Sequence, residues 1–142
     1  MNWKSLKENI YFEDGSLRDI YVLETTYKDW QKWADFVNEK YEVVFTDTET
    51  GLISDFIDMS TVKQFWDKDE SIKRAKIKVD DFQINCHFFT EFEIENDISP
   101  NEIKSLANHK ALTEYLTEIS KLLNKKVKLT LENHENHILL EV

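Results

Sequence analysis

The most regular alternation of apolar and polar residues in the chain runs over residues 82–95. Apolar side chains or a threonine take every second position of this segment, and polar side chains take almost all of the positions between them. A period of two predicts one β-strand with a buried face. Residues 75–79 have the same period, and an Asp80-Asp81 turn would join the two strands as a hairpin. The register then pairs Val79 with Phe82, Ile77 with Ile84 and Ala75 with Cys86.

Three further hairpins are predicted from β-favouring runs on either side of turn residues. The first joins residues 9–12 to 17–23 through Asp14-Gly15, and the second joins 42–45 to 52–57. The last joins 126–132 to 136–142 through a turn at His134-Glu135. It pairs Leu131 with Ile138, Leu129 with Leu140, Val127 with Val142 and Lys128 with Glu141.

Helical spacing of apolar residues predicts three helices. One covers roughly residues 27–39, where Thr26 and Asp29 form a variant of the capping box. A short one begins at Asp58 or Ser60, and another begins at Ser99-Pro100-Asn101-Glu102 and continues to Leu123, with a break at Asn108. We therefore predict an α+β fold, with an antiparallel sheet built from successive hairpins and two or three helices packed on one face.

Length and composition favour one domain over residues 1–142. The net charge is -10, and its excess lies in Glu42–Glu70, where eight acidic residues accompany only Lys63 and Lys68. Such a segment repels phosphate backbones and anionic lipids, so nucleic acid and membranes are not expected partners. It attracts a basic protein, although acidity also serves solubility alone.

Candidate chemistry was sought among the nucleophiles, histidines and carboxylates. Cys86 faces the core of its predicted strand while His87 faces the other side, so they form no catalytic pair. The His134/His137 spacing spans a turn, and the ladder of Glu91, Glu93 and Glu95 is typical of a solvated strand face. The two glycines offer no phosphate-binding loop. We expect no catalytic residue, metal or cofactor.

The single cysteine and the polar N-terminus, which lacks a signal-peptide pattern, favour a cytoplasmic protein. The function that we expect is therefore a non-enzymatic acidic binding protein, of the kind represented by bacterial immunity proteins that inhibit a basic toxin or nuclease. The expected partner-binding residues are mostly acidic, with Trp66 as an aromatic anchor: Asp47, Glu49, Asp55, Asp58, Asp67, Asp69 and Glu70.

A second group of partner contacts is expected where Ile72 and Phe89 oppose each other on the polar side of their hairpin. Two alternatives remain open. One is a small-molecule or enzymatic pocket between sheet and helices, lined by Trp30, Trp33 and Tyr115. The other is a structural subunit that forms homo-oligomers through a sheet edge or the Phe89 face. The aromatic residues also suffice for an ordinary core.

Overall fold

A computed structural model describes residues 2–68 and 73–142. Within these residues, eight strands form one antiparallel sheet in the order β3-β2-β4-β5-β6-β1-β7-β8, accompanied by four α-helices. The α+β fold with an antiparallel sheet is thus confirmed. The elements are α1 (Trp3–Asn9), β1 (Arg18–Leu23), α2 (Tyr27–Lys40), β2 (Glu42–Asp47), β3 (Ile53–Ser54), α3 (Met59–Lys68), β4 (Lys73–Val79), β5 (Phe82–His87), β6 (Glu93–Ile98), α4 (Leu106–Leu123), β7 (Lys128–Leu131) and β8 (His134–Glu141).

The β4–β5 hairpin has the predicted register in full, with Val79 opposite Phe82 and Ile77 opposite Ile84. Asp80 takes the left-handed conformation, with φ of 51°, that the tight turn requires. One face of this hairpin is buried in the core, and the other carries partly exposed polar residues. Alternation was sufficient to predict this register, because the two strands are adjacent in the chain and a shift by one residue would move the apolar side chains out of the core.

The prediction of one strand over 82–95 is wrong, because the chain turns back at residues 88–92 and pairs with itself as β5 and β6. Two indole N–H groups, those of Trp66 and Trp30, donate to the carbonyls of Phe88 and Glu91 and hold the turn. The consequence is that β6 lies antiparallel beside β5, with Glu95 directly opposite His87.

The predicted opening hairpin is also wrong. Residues before it form α1, and β1 pairs with β6 and β7 instead. The cause lies in Arg18, which is fully buried and donates from Nε to the Ile10 carbonyl (2.8 Å) and from its terminal nitrogen to the Phe12 carbonyl (2.6 Å). Arg18 thereby uses carbonyl groups that a hairpin would have paired with β1.

The α2 prediction is confirmed, including the reciprocal capping box of Thr26 and Asp29. Helix α3 is also confirmed, and the Asp58 carboxylate accepts from the main-chain N–H of Ser60 at its start. The predicted helix from Ser99 is a single 3₁₀ turn, Pro100–Glu102. Helix α4 begins only after Ser105, whose hydroxyl accepts from Asn108 N–H, so Asn108 lies in the first turn of α4 and does not break a helix.

The two outer hairpins agree with prediction only in part. Strands β2 and β3 do pair, but β3 has two residues. In the β7–β8 hairpin, Leu129 faces Leu140 and Lys128 faces Glu141 as predicted, whereas Leu131 pairs with His134 rather than Ile138. An irregularity in the ladder shifts the register, and sequence alternation alone does not reveal such a bulge.

The core between sheet and helices is rich in aromatic rings. Trp30, Trp33 and Tyr115 are completely buried, and Trp30 and Trp33 meet edge to face at 5.4 Å. The Trp33 indole N–H donates to the Tyr115 hydroxyl, which in turn donates to Asn96. These residues therefore pack in the core, which was one of the two interpretations of the aromatic residues in the sequence. Whether the helices cover one face only stays a prediction. Among the described residues, no helix is long and apolar enough to cross a bilayer.

Candidate partner-binding surface at one end of the sheet

Several connections meet at one end of the sheet. Asp47 at the end of β2 is paired with Lys73 at the start of β4, and Arg74 beside it is paired with His87 near the end of β5. At the same level, Leu23 at the end of β1 is paired with Glu93. The β2–β3 turn, the β5–β6 turn (residues 88–92) and the end of β1 are thus neighbours. We call this end of the molecule the turn end.

The backbone of the β5–β6 turn is held by side chains from three other elements. The indole N–H of Trp66 donates to the Phe88 carbonyl at 2.8 Å, and that of Trp30 donates to the Glu91 carbonyl at 3.0 Å. The hydroxyl of Thr25 donates to the same Glu91 carbonyl at 2.8 Å. A turn fixed by three long-range hydrogen bonds is ordered before any partner arrives.

Two phenylalanine rings project from this ordered turn into solvent. Phe88 is only 8% exposed and packs among the core rings, whereas Phe89 is 67% exposed and Phe92 is 69% exposed. Phe89 lies parallel to the His87 imidazole, with ring centroids 5.2 Å apart and an angle of 10° between the planes. One face of the Phe89 ring is therefore covered by His87, while most of the residue remains exposed.

Carboxylates and cations both surround these rings. Among the described residues at the turn end, six acidic residues accompany four basic ones, and Glu24 also lines a cavity with Lys125 and Lys126. Lys63 lies between two of the acids, 3.6 Å from Asp67 and 3.7 Å from Glu91. The acidic residues are Glu24, Asp47, Glu49, Asp67, Glu91 and Glu93, and the basic residues are Lys63, Lys68, Lys73 and Arg74. An aromatic centre with a polar rim is the usual organisation of a protein-binding surface.

A row of carboxylates extends from the turn end along the face of the sheet that is opposite the core. Glu93, Glu95 and Asp97 point to this face from β6, and Asp19 lies directly opposite Asp97 on β1. We call these four residues the acidic row. Neighbouring Cβ atoms of opposed residues lie roughly 5 Å apart, so the carboxyl groups interact with one another.

Asp97 is the best neutralised member of the acidic row. Its Oδ2 atom is 2.7 Å from His87 Nε2, and its Oδ1 atom accepts from the Asn85 amide at 2.9 Å. The hydrogen bond to Asp97 raises the pKa of His87, with further contributions from Asp97 and Glu95, against the opposing effects of burial and Arg74. The imidazole that stacks on Phe89 is thus biased toward its cationic form.

The other members of the acidic row lack such a partner. Asp19 accepts from the Tyr21 hydroxyl (3.1 Å) and from Asn133 N–H (2.8 Å), both at Oδ2. Burial, followed by the charges of Asp97 and Glu132, raises the pKa of Asp19 despite these hydrogen bonds. Burial and then Asp19 and Glu93 likewise raise the pKa of Glu95. The row is therefore short of positive charge.

Five of the residues that are expected to contact a partner lie together at the turn end. They are Asp47, Glu49, Trp66, Asp67 and Phe89. Glu49, Asp67 and Phe89 are exposed and available for contact.

Asp47 and Trp66 have structural roles. Asp47 forms an ion pair with the buried Lys73 at 2.6 Å, and its carboxylate also accepts from Glu49 N–H inside the turn. Trp66 packs on Trp30 and holds the β5–β6 turn.

The remaining expected contacts lie elsewhere or outside the described residues. Asp58 is used as the helix cap of α3, which occupies its carboxylate. Asp55 is exposed beyond β3, on the edge of the sheet. Asp69, Glu70 and Ile72 lie outside the described residues, so the predicted contact of Ile72 with Phe89 stays a prediction.

Sequence reasoning recognised Glu93 and Glu95 only as part of a solvated ladder, and it missed Asp19, Asp97 and Phe92. Assigning residues 82–95 to a single strand put Phe92 on the buried face and kept Glu95 away from His87. Assigning Asp19 to an opening hairpin separated it from Asp97. A signal was present for Asp19, which is a charged residue directly before the apolar, β-favouring run of residues 20–23. Burying a charge costs free energy, so a charge in such a position indicates a strand face that does not pack in the core.

Two other places in the molecule contain groups with possible reactivity, the Cys86 thiol and a cluster of lysines. Burial raises the pKa of the Cys86 thiol well above its usual value, which leaves the thiol unreactive. A cavity of about 340 Å³ beside Tyr21 contains three lysines, but each has a carboxylate partner. Within the described ranges, no group of three or more histidine, cysteine or acidic residues is arranged to hold a metal ion.

Comparison with known proteins does not identify a family for this chain. No family model, curated protein or solved structure matches this chain.

Proposed function

We propose that this protein is a non-enzymatic acidic binding protein that recognises a basic protein through its turn end. The observation that carries the proposal is the exposed pair Phe89 and Phe92 on a turn whose backbone is fixed by Trp66, Trp30 and Thr25. A folded chain gains little from holding two phenylalanines in water, whereas aromatic anchors of this kind dominate the binding energy of protein interfaces.

The order of the turn supports recognition by a preformed surface. Binding costs free energy for every side chain and loop that must be immobilised, and an already ordered anchor avoids much of that cost. Phe89 is further restrained by its stacking on His87. We therefore expect little backbone movement at residues 88–92 when the partner binds.

Charge supports a basic partner. The chain has a net charge of -10, and six acidic residues accompany four basic ones among the described residues at the turn end. A surface with this field accelerates association with a cationic protein and rejects anionic ones. The same features fit an immunity-type inhibitor that covers the cationic surface of a toxin or nuclease in the bacterial cytoplasm. Such an inhibitor acts by occupying a surface and needs no catalytic group of its own.

The test is affinity capture from the source cell with matched baits. The wild-type chain is compared with Phe89→Ala/Phe92→Ala and with the control Phe56→Ala, which removes a ring that is 50% exposed elsewhere. We expect the wild type and the control to capture the same basic protein and the double variant to lose it. The association rate should fall steeply as salt concentration rises. Capture of an acidic partner, or equal capture by all three baits, would contradict the proposal.

Self-association is a second candidate, because the edge strand β3 and its neighbours expose Leu52 (71%), Ile53 (68%) and Phe56 (50%). Edge strands with exposed apolar residues can pair with a second copy. Analytical ultracentrifugation decides between the candidates. A dimer that Ile53→Lys dissociates and Phe89→Ala leaves intact would favour a structural homo-oligomer, and a monomer at micromolar concentration would exclude it.

A further inference from the structure

We infer that the anchor which this surface takes from its partner is an arginine side chain, stacked on Phe89 and paired with the acidic row. This inference rests on the proposed function, because it specifies the chemistry of the basic partner at the same surface. Its two parts are an aromatic plane with one free face and adjacent carboxylates that lack a cation.

The aromatic plane is supplied by Phe89. Its ring is parallel to His87 on one side, while the residue is 67% exposed overall. A planar cation can therefore stack on the outer face and complete a three-layer arrangement. Guanidinium groups prefer this geometry, since they are planar and weakly hydrated.

The missing cation is indicated by the acidic row. Within the described part of the chain, Glu93, Glu95 and Asp19 form no ion pair, whereas most acidic residues around them do. Glu95 lies directly opposite His87, the residue on which Phe89 stacks, so a cation over the Phe89 ring would lie beside the acidic row.

Two neighbouring cations narrow the choice of ligand. Arg74 lies opposite His87 on β4, and Lys128 lies opposite Tyr21 on β7, so the acidic row has positive groups on both sides. One extended cationic side chain of a basic partner can enter between these two groups. Arginine also donates through a rigid fork that matches carboxylate geometry, and lysine presents a strongly hydrated point charge.

The test uses two capped peptides of equal charge, in which three arginines or three lysines alternate with glycine. Binding to the full chain is followed by chemical-shift changes in the protein at fixed ionic strength. We expect the arginine peptide to bind about tenfold more tightly, as stacking on one desolvated ring allows. Phe89→Ala should reduce its affinity to that of the lysine peptide and leave the lysine peptide unchanged. Glu95→Gln, which is nearly isosteric, should weaken the arginine peptide more than Glu49→Gln does.

A second measurement does not depend on the variants folding normally. The arginine side-chain protons next to the guanidinium should shift upfield on binding to the wild-type chain, because they lie over the Phe89 ring. Equal affinity for the two peptides, no upfield shift, or no binding at millimolar peptide would each overturn the inference. The proposed function is judged separately by affinity capture. If the wild-type chain captures a basic partner but binds the two peptides equally, the arginine anchor alone is refuted. If the wild-type chain captures no basic partner but still binds the arginine peptide more tightly than the lysine peptide, the proposed function alone is refuted.

Discussion

Phe88 and Phe89 are adjacent in the chain and have opposite environments, so truncating each in turn tests whether the exposed ring is dispensable for folding. Phe88 is 8% exposed and contacts the rings of Trp30, Trp33 and Phe45. Removing such a buried ring leaves a cavity, and we expect Phe88→Ala to lower the free energy of unfolding by about 3–5 kcal/mol.

Phe89 keeps only about one third of its surface buried. Full burial of a phenylalanine is worth about 1.5–3 kcal/mol, so one third of that burial gives about 0.5–1 kcal/mol for Phe89→Ala. The stacking on His87 is included in this range, because an exposed ring pair contributes little beyond its contact area. Two neighbouring and chemically identical substitutions should thus differ several-fold in their effect on stability.

The assay is urea unfolding followed by circular dichroism, which avoids the change in tryptophan fluorescence that removing Phe88 would cause. Both variants should unfold in one transition with the slope of the wild type, so that midpoints convert directly to free energies. A loss of about 2 kcal/mol or more for Phe89→Ala would place it among the core residues. The ring would then be needed for folding, and its assignment as a binding anchor would fail.

Three further predictions concern side chains with specific hydrogen bonds, and each is measured by urea unfolding. Arg18→Met should cost about 3 kcal/mol or more, since it leaves main-chain carbonyls without donors; a cost below that of Phe89→Ala would contradict this. Tyr115→Phe should cost about 2–4 kcal/mol, because both hydrogen-bond partners of its hydroxyl are buried, and a neutral effect would refute that hydrogen-bond chain. The raised pKa of His87 means that its pairing with Asp97 stabilises fully below pH 6.5, the ordinary His pKa, and less as pH rises through the folded value. His87→Gln should therefore cost more at pH 5.5 than at pH 8, and the reverse order would exclude the charged pair.

The parts of the fold that the sequence predicts well depend on neighbours in the chain. The β4–β5 register follows from alternation alone, and the start of α2 follows from Thr26 and Asp29, which are three residues apart. In each case the local pattern and the tertiary environment favour the same structure. Asp47, Glu49, Asp67 and Phe89, which the sequence suggests as partner contacts, lie together at the turn end, and their role in binding stays a prediction.

The parts that could not be predicted depend on contacts between distant residues. Asp14-Gly15 is a strong local turn signal, yet the side chain of Arg18 binds the carbonyls that a hairpin would need. The break at residues 88–92 is set by indole N–H groups from Trp30 and Trp66, which are 61 and 22 residues away from the carbonyls that they bind. Periodicity carries no information about such bonds, so the arrangement of the acidic row, which depends on this break, was missed.

The acidic row and the exposed rings both favour a role in binding, for different physical reasons. Raised pKa values mean that folding favours protonated Asp19, Glu93 and Glu95, so their ionisation at neutral pH reduces the stability of the isolated chain. Lysines occupy the same face of β4, so the sheet does not require acids there. The exposed phenylalanines carry a corresponding cost in apolar hydration. A basic partner with an apolar contact would relieve both costs at once. The acidic row reaches the exposed rings at Glu93, and this proximity supports binding rather than a general need for solubility.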